Sequence, residues 1–166
     1  MRVFNKICGS INYYLAWAAG AALLGAMFIT VGQMFMRAFF VPFEGTYEIV
    51  GWLTAIATAL ALGYTQGQKG HISIDILVNK LSFRRRAAVG LAVLTISAAL
   101  FAVLTGEMFL FGAHLKTVGS LSETLRAAYY PFTFITAIGT AGLFLALTAD
   151  LLKHYYILLG KAENYW

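Results

Sequence analysis

Four long apolar stretches dominate this chain, and they limit what it can fold into. They run from Ile7 to Met36, from Ile49 to Gln68, from Ala87 to Gly106 and from Ala127 to Ala149. The first of them contains no formally charged residue. A transmembrane helix needs about 20 mostly apolar residues to cross a hydrocarbon core of about 30 Å, and each stretch reaches that length. The sequence therefore predicts four membrane-spanning helices.

The composition agrees with an integral membrane protein. Of the 166 residues, 60% are hydrophobic and 11% are charged, whereas soluble domains carry about 25% charged residues. A transmembrane barrel is disfavoured, because each stretch is continuously apolar and barrel strands alternate over about ten residues. We therefore expect an all-α fold forming a single membrane domain over residues 1–166, with spans at approximately 11–36, 47–67, 87–111 and 128–151.

The distribution of Lys and Arg predicts the orientation of the chain. If the N-terminus is cytoplasmic, nine of the twelve Lys and Arg residues fall inside and three fall outside. Cytoplasmic segments of membrane proteins carry such an excess of positive charge, so we expect both termini in the cytoplasm. These inner segments also explain the net charge of +5. No basic stripe interleaved with base-stacking aromatic residues indicates nucleic-acid binding, and the expected non-protein partners are membrane lipids.

The most polar connection is the segment GYTQGQKGHISIDILVNKLSFRRR, residues 63–86. Its apolar residues recur at helical spacing, at Ile74, Leu77, Val78 and Leu81. This pattern predicts a short amphipathic helix lying in the membrane interface between the second and third spans. The cations that follow it, Arg84, Arg85 and Arg86, are expected to contact anionic lipid head groups. The alternation of Ile72, Ile74 and Ile76 with polar residues leaves an extended segment as an alternative.

The same segment holds two candidate chemical groups, His71 and Asp75, which lie four residues apart and would share one face of such a helix. One His and one Asp are too few ligands for a metal site, and the other histidines, His114 and His154, lie in distant segments. No nucleophile motif accompanies them, so the pattern does not indicate a Ser-His-Asp triad. We expect that the chain is not an enzyme and binds no cofactor.

Acidic side chains lie near the ends of the predicted spans, at Glu44, Glu48, Glu107 and Asp150. Glu44 and Glu48 lie at the start of the second span, where the helix dipole favours a carboxylate. Glu107 is expected to close the outer end of the third span. Because water relieves much of the cost of a charge at a span end, these residues give little support to an ion-coupled mechanism inside the chain.

Two motifs resemble a known family. FEGTYEIVGW, residues 43–52, is followed by GQKGHISIDIL, residues 67–77, and by a basic cluster. This layout resembles the small membrane subunit of tripartite ATP-independent periplasmic (TRAP) transporters, the DctQ-like or Q-type family. That family has a four-helix chain with an acidic residue opening helix two, which Glu48 matches. It also has a Gly-His-hydrophobic-x-hydrophobic-Asp signature, which Gly70, His71 and Asp75 match. The resemblance implies a structural or subunit-interface role for Glu48, Gly70, His71 and Asp75.

The resemblance also implies partners and a function. Such transporters combine a periplasmic substrate-binding protein with a large permease subunit, and they import an organic acid, a carboxylate such as a C4-dicarboxylate or sialic acid, together with sodium. The small subunit would be an accessory scaffold for the large permease in the bacterial inner membrane, with sodium bound by the large subunit. The outer segment 114–131 would be either a docking surface for the binding protein or an ordinary connecting loop.

The alternative function is a free-standing tetraspan exporter or channel that acts as a homo-oligomer. Such a protein is expected to carry a charge within a span, because a charge there marks an ion or substrate pathway. The first span has no charge. The sequence therefore favours the accessory subunit.

Overall fold

The computed structural model describes residues 2–41, 43–68 and 83–158, with side chains over residues 5–41, 43–68 and 89–155. Four helices account for most of them, α1 (Arg2–Phe39), α2 (Thr46–Gly67), α3 (Phe83–Val118) and α4 (Tyr130–Leu158). All four are long and apolar enough to cross a membrane. The predicted all-α membrane fold is confirmed. The cytoplasmic location of both termini stays a prediction, and the predicted interfacial segment lies largely outside the described residues.

The helices α2 and α4 form the centre of the bundle. α2 packs against α1 and against α4, and α3 packs mainly against α4. In the most apolar stretch of each helix, 33% of the residues of α2 and 44% of those of α4 are buried, against 11% in α1 and 6% in α3. Lipid or a protein partner must therefore cover most of α1 and α3.

A glycine lets the two central helices approach each other closely. A Cβ atom at Gly139 of α4 would lie 2.5 Å from the backbone carbonyl carbon of Ala59 in α2 and 2.6 Å from its oxygen. No side chain fits in that space, so only glycine allows this backbone contact. Apolar clusters flank the contact, one between α1 and α2 around Ala19, Ile56 and Leu60, and one between α3 and α4 around Ala98, Leu143 and Leu147.

The start of α2 is fixed against the last turns of α1. The side-chain amide of Gln33 donates to the carbonyl oxygen of Phe43 and accepts a hydrogen bond from the Phe43 N–H, both at 3.1 Å. The hydroxyl of Thr46 donates to the same carbonyl at 2.9 Å. These bonds satisfy backbone groups that would otherwise lie unpaired at the helix ends.

The C-terminal end of α3 differs from the sequence-based expectation. Residues 114–118, expected to belong to a loop of residues 114–131, continue the helix, and the loop comprises residues 119–129. The helix ends at Val118 because Gly119 adopts a positive φ of 67° and the Ser120 N–H returns to the Leu115 carbonyl at 3.2 Å, as in a Schellman cap. The prediction that Glu107 closes the helix is therefore wrong, and Glu107 lies about three turns before its end.

Candidate functional site

The side chain of Glu48 connects the start of α2 to the loop between α3 and α4. The backbone N–H groups of Thr124 and Leu125 donate to its two carboxylate oxygens at 2.8 and 3.1 Å. The first turn of α2 positions this carboxylate, and the unpaired N–H groups of a first turn also favour a negative charge there. Glu48 therefore anchors the loop to the helix.

The loop of residues 119–129 is folded on itself. The Ser122 N–H donates to the Ala127 carbonyl at 2.8 Å, and the Ala127 N–H donates to the Ser122 hydroxyl at 3.2 Å. The Leu125 side chain covers Gly45, where an added Cβ would lie 2.6 Å from Leu125 Cγ. Arg126 has a φ of 54°, a left-handed conformation that costs a non-glycine residue about 1–2 kcal/mol. The hydrogen bonds and the Leu125 contact hold the loop in this shape.

An aromatic cluster lies one turn further along α2. The ring of Trp52 stacks on Phe132 with a centroid distance of 4.2 Å and an interplanar angle of 18°. It also meets Tyr129 edge to face at 5.8 Å. Aromatic pairs of these geometries contribute about 0.5–1.5 kcal/mol each beyond area burial. Because Glu48 and Trp52 share a face of α2, both fasten α2 to the start of α4 and to the loop before it.

A second polar cluster lies at the opposite end of the bundle, where α1 begins and α4 ends. The Gln66 side-chain amide donates to Asp150 Oδ2 at 2.9 Å, and Lys153 Nζ donates to Asp150 Oδ1 at 2.9 Å. A cavity of about 200 Å³ lies beside them, lined by residues of α1, α2 and α4 that include Cys8 and Asn12. The Gln66 to Asp150 bond joins α2 to α4 at this end, as Glu48 joins α2 to the loop at the other.

Asn12 is the buried polar residue of this second cluster. Its Nδ2 donates to the Cys8 carbonyl at 3.1 Å, while its Oδ1 has no hydrogen-bond partner among the described residues. Oδ1 lies against Gly63 and Gly142, and Cα–H groups can form weak hydrogen bonds to such an oxygen. Close packing of three helices therefore accounts for the position of Asn12.

The chemistry of these groups is structural. No three His, Cys, Asp or Glu side chains come together to hold a metal ion within the described parts of the chain. Among the described residues, the two carboxylates with protein partners are Glu48 and Asp150, and they lie at opposite ends of the bundle. Each accepts hydrogen bonds that join separate elements, so their arrangement fixes helices and a loop relative to one another.

The residues of the two sequence motifs are only partly described. Glu48 is placed as above, but Gly70, His71 and Asp75 lie outside the described residues, and their role stays a prediction. The triplet Arg84, Arg85 and Arg86 lies in the first turn of α3. Their side chains lie outside the described part, so contact with lipid head groups stays a prediction. Sequence reasoning did not find Thr124 and Leu125, because backbone N–H donors about 76 residues away leave no side-chain signal.

A comparison with protein families finds similarity over most of the chain. The family model described as "Tripartite ATP-independent periplasmic transporters, DctQ component" matches residues 26–155. The matched range begins inside α1 and ends within the last turns of α4. No curated protein and no solved structure matches this chain.

Proposed function

Because the chain belongs to the DctQ family, the small components of TRAP transporters, we propose that it is the accessory membrane subunit of such a transporter. Its partners in this proposal are a large permease subunit and a periplasmic substrate-binding protein. The complex imports an organic acid, a carboxylate such as a C4-dicarboxylate or sialic acid. Import is coupled to sodium, which binds in the large subunit.

We propose that the chain acts as a scaffold for the large permease. The observation that supports this role is that hydrogen bonds join separate elements at both ends of the bundle. At one end Glu48 binds the loop of residues 119–129, and at the other Asp150 binds Gln66. The backbone contact at Gly139 fixes the central helix pair between them. A permease that moves its substrate needs a neighbour that keeps its shape, and a bundle fixed in this way suits that task.

The proposed location is the bacterial inner membrane, with both termini in the cytoplasm. The excess of Lys and Arg at the end where α1 begins and α4 ends supports this orientation. The loop of residues 119–129 and Glu48 then face the periplasm, where a substrate-binding protein would approach. The arginines at the start of α3 then face the head groups of the cytoplasmic leaflet.

The alternative, a free-standing exporter or channel, has less support. The helix α1 has no charge between Lys6 and Arg37. The carboxylate within α3, Glu107, is exposed on the surface of the bundle. A pathway between the copies of a homo-oligomer would need to be lined by several charged or polar groups on such exposed faces, and the exposed row of α3 residues around Glu107 is otherwise aliphatic.

Uptake into proteoliposomes tests the proposed function. The large subunit is reconstituted with and without this chain, and the binding protein is added with a radioactive carboxylate, with and without an inward sodium gradient. Uptake that requires all three proteins and the gradient supports the proposal. Full uptake without this chain contradicts the scaffold role, and uptake by this chain alone contradicts the accessory role altogether.

A further inference from the structure

Helix α3 has two faces of different character. One face packs on α4, where Ala98 contacts the Leu143 cluster, the Thr105 hydroxyl donates to the Thr140 hydroxyl at 3.2 Å, and Gly112 lies against Phe134. The opposite face is exposed from Val93 to Leu110. The helix therefore has a covered face and an uncovered one.

The uncovered face follows a regular repeat, formed by Val93, Ile96, Leu100, Val103, Glu107 and Leu110. The spacing alternates between three and four residues. The five aliphatic side chains of this row, called the α3 seam below, are between 57% and 70% exposed. Apolar residues at an average spacing of 3.5 form the contact stripe of a helix that packs along another helix at a small crossing angle. The α3 seam thus has the periodicity of a helix-packing surface.

Glu107 interrupts the α3 seam at a depth where a carboxylate is unfavourable. Lys116 lies 5.9 Å above the ring of Tyr130, as expected for a cation and a tyrosine at the membrane interface. The hydrogen bond between Thr105 and Thr140 places these residues of α3 and α4 at the same depth. Thr140 lies about 15 Å from Tyr130 along α4. Glu107 lies two residues closer than Thr105 to the end of the bundle that holds Tyr130. Glu107 therefore lies about 12 Å below the interface, inside a hydrocarbon core that is about 30 Å thick.

The carboxylate of Glu107 has no hydrogen-bond or ion-pair partner among the described residues. Acyl chains offer no hydrogen-bond donors, so lipid cannot satisfy a charge at this depth, and charged residues in membranes are usually paired with protein groups. The exposed face of α1 differs, since it carries no charge between Lys6 and Arg37 and lipid suffices to cover it. The α3 seam thus requires a protein partner with a donor, and the exposed surface of α1 does not.

We infer that the α3 seam is the surface on which a transmembrane helix of the large permease subunit docks, with a cationic or hydrogen-bond-donating side chain opposite Glu107. The inference rests on the proposed function, which supplies the large subunit. A second copy of this chain is a poorer occupant, because symmetric pairing of two seams near Glu107 would bring two carboxylates together. A single polar residue in an apolar seam also fixes the register of the two helices.

Photo-crosslinking in the native membrane tests where the large subunit docks. A benzophenone amino acid is placed at Val103 or Leu110, which flank Glu107, and for comparison at Phe28, which is 69% exposed on α1. The expected result is crosslinking to the large subunit from both α3 positions and none above background from Phe28. Crosslinking to the large subunit from Phe28 alone overturns the inference and leaves the proposed function standing. Crosslinking of α3 to a second copy, or to lipid only, overturns it as well.

Substitution of the carboxylate gives an independent test. Glu107→Leu is expected to reduce recovery of the large subunit with the tagged chain by about tenfold or more, and Glu107→Gln, which keeps hydrogen-bonding atoms, by less. Glu44→Leu, the same change at an exposed carboxylate near the start of α2, should leave recovery unchanged. The melting temperature of the chain alone should not fall in any of the three variants. Wild-type recovery with Glu107→Leu overturns the inference, whereas failure of the unsubstituted chain to recover any large subunit overturns the proposed function itself.

Discussion

The contact between Gly139 and Ala59 predicts that Gly139→Ala destabilises the chain. The added Cβ would lie 2.5, 2.6 and 2.7 Å from three backbone atoms of Ala59 and Leu60. Ordinary contacts begin at 3.4 Å, so α4 must withdraw from α2 by about 1 Å, because backbone cannot rotate away. Overpacking of this kind costs about 1–3 kcal/mol. Because the neighbouring atoms are backbone, the cost should lie in the upper half of that range, about 2–3 kcal/mol. Alanine has the better helix propensity, which offsets about 1 kcal/mol of this cost, so we expect a net loss of roughly 1–2 kcal/mol.

Thermal melting of the purified chain in detergent measures this loss. For a chain of this length, 1 kcal/mol corresponds to about 2–4 °C, so Gly139→Ala should melt roughly 2–8 °C below the wild type. The matched control is Gly51→Ala on α2, where an added Cβ meets nothing within 4 Å and where stability should stay level or rise. Equal melting of Gly139→Ala and the wild type, or an equal loss in Gly51→Ala, would refute the close backbone contact.

Three further predictions concern the two ends of the bundle. Glu48→Ala removes the acceptor of the Thr124 and Leu125 N–H groups, so trypsin should cleave after Arg126 faster than in Glu44→Ala, and equal cleavage rates would contradict the anchoring role. Gly63→Ala places a methyl group against the Asn12 side chain and should lower the melting temperature relative to Gly51→Ala, and equal melting of the two variants would contradict the close packing around Asn12. Asp150→Asn breaks the partly exposed ion pair with Lys153, but the new side chain can still accept a hydrogen bond from Gln66. The free energy of unfolding should therefore fall by less than about 1 kcal/mol. A larger fall would contradict the small contribution expected of an exposed ion pair.

The fold class could be read from the sequence because apolar runs and their lengths report directly on membrane spans. The helix ends could not be read in the same way. The residues between Glu107 and Val118 form helix as readily as those before them, and the end is set by the left-handed conformation of Gly119. A glycine after an apolar run is a recognised stop signal, so Gly119 is the residue in the sequence that marks the end of the longer α3.

The site was less predictable, because its contacts are long-range. Glu48 could be singled out at the start of a span, but its partners are backbone N–H groups of a distant loop. The spacing of the α3 seam is present in the sequence, yet residues 87–106 are mostly apolar on every face of the helix, so no hydrophobic contrast identifies the covered face. Only the packing of α4 on Ala98, Thr105 and Gly112 shows which face stays open.

The central claim is that this chain is one subunit of a larger transporter, and affinity purification tests it most directly. The full chain, tagged and expressed with its genomic neighbours, is extracted from its native membrane in a mild detergent, and the proteins recovered with it are identified and quantified. The proposal predicts a large, very hydrophobic permease in a one-to-one ratio. Recovery of the chain alone, or as a homo-oligomer, would contradict it.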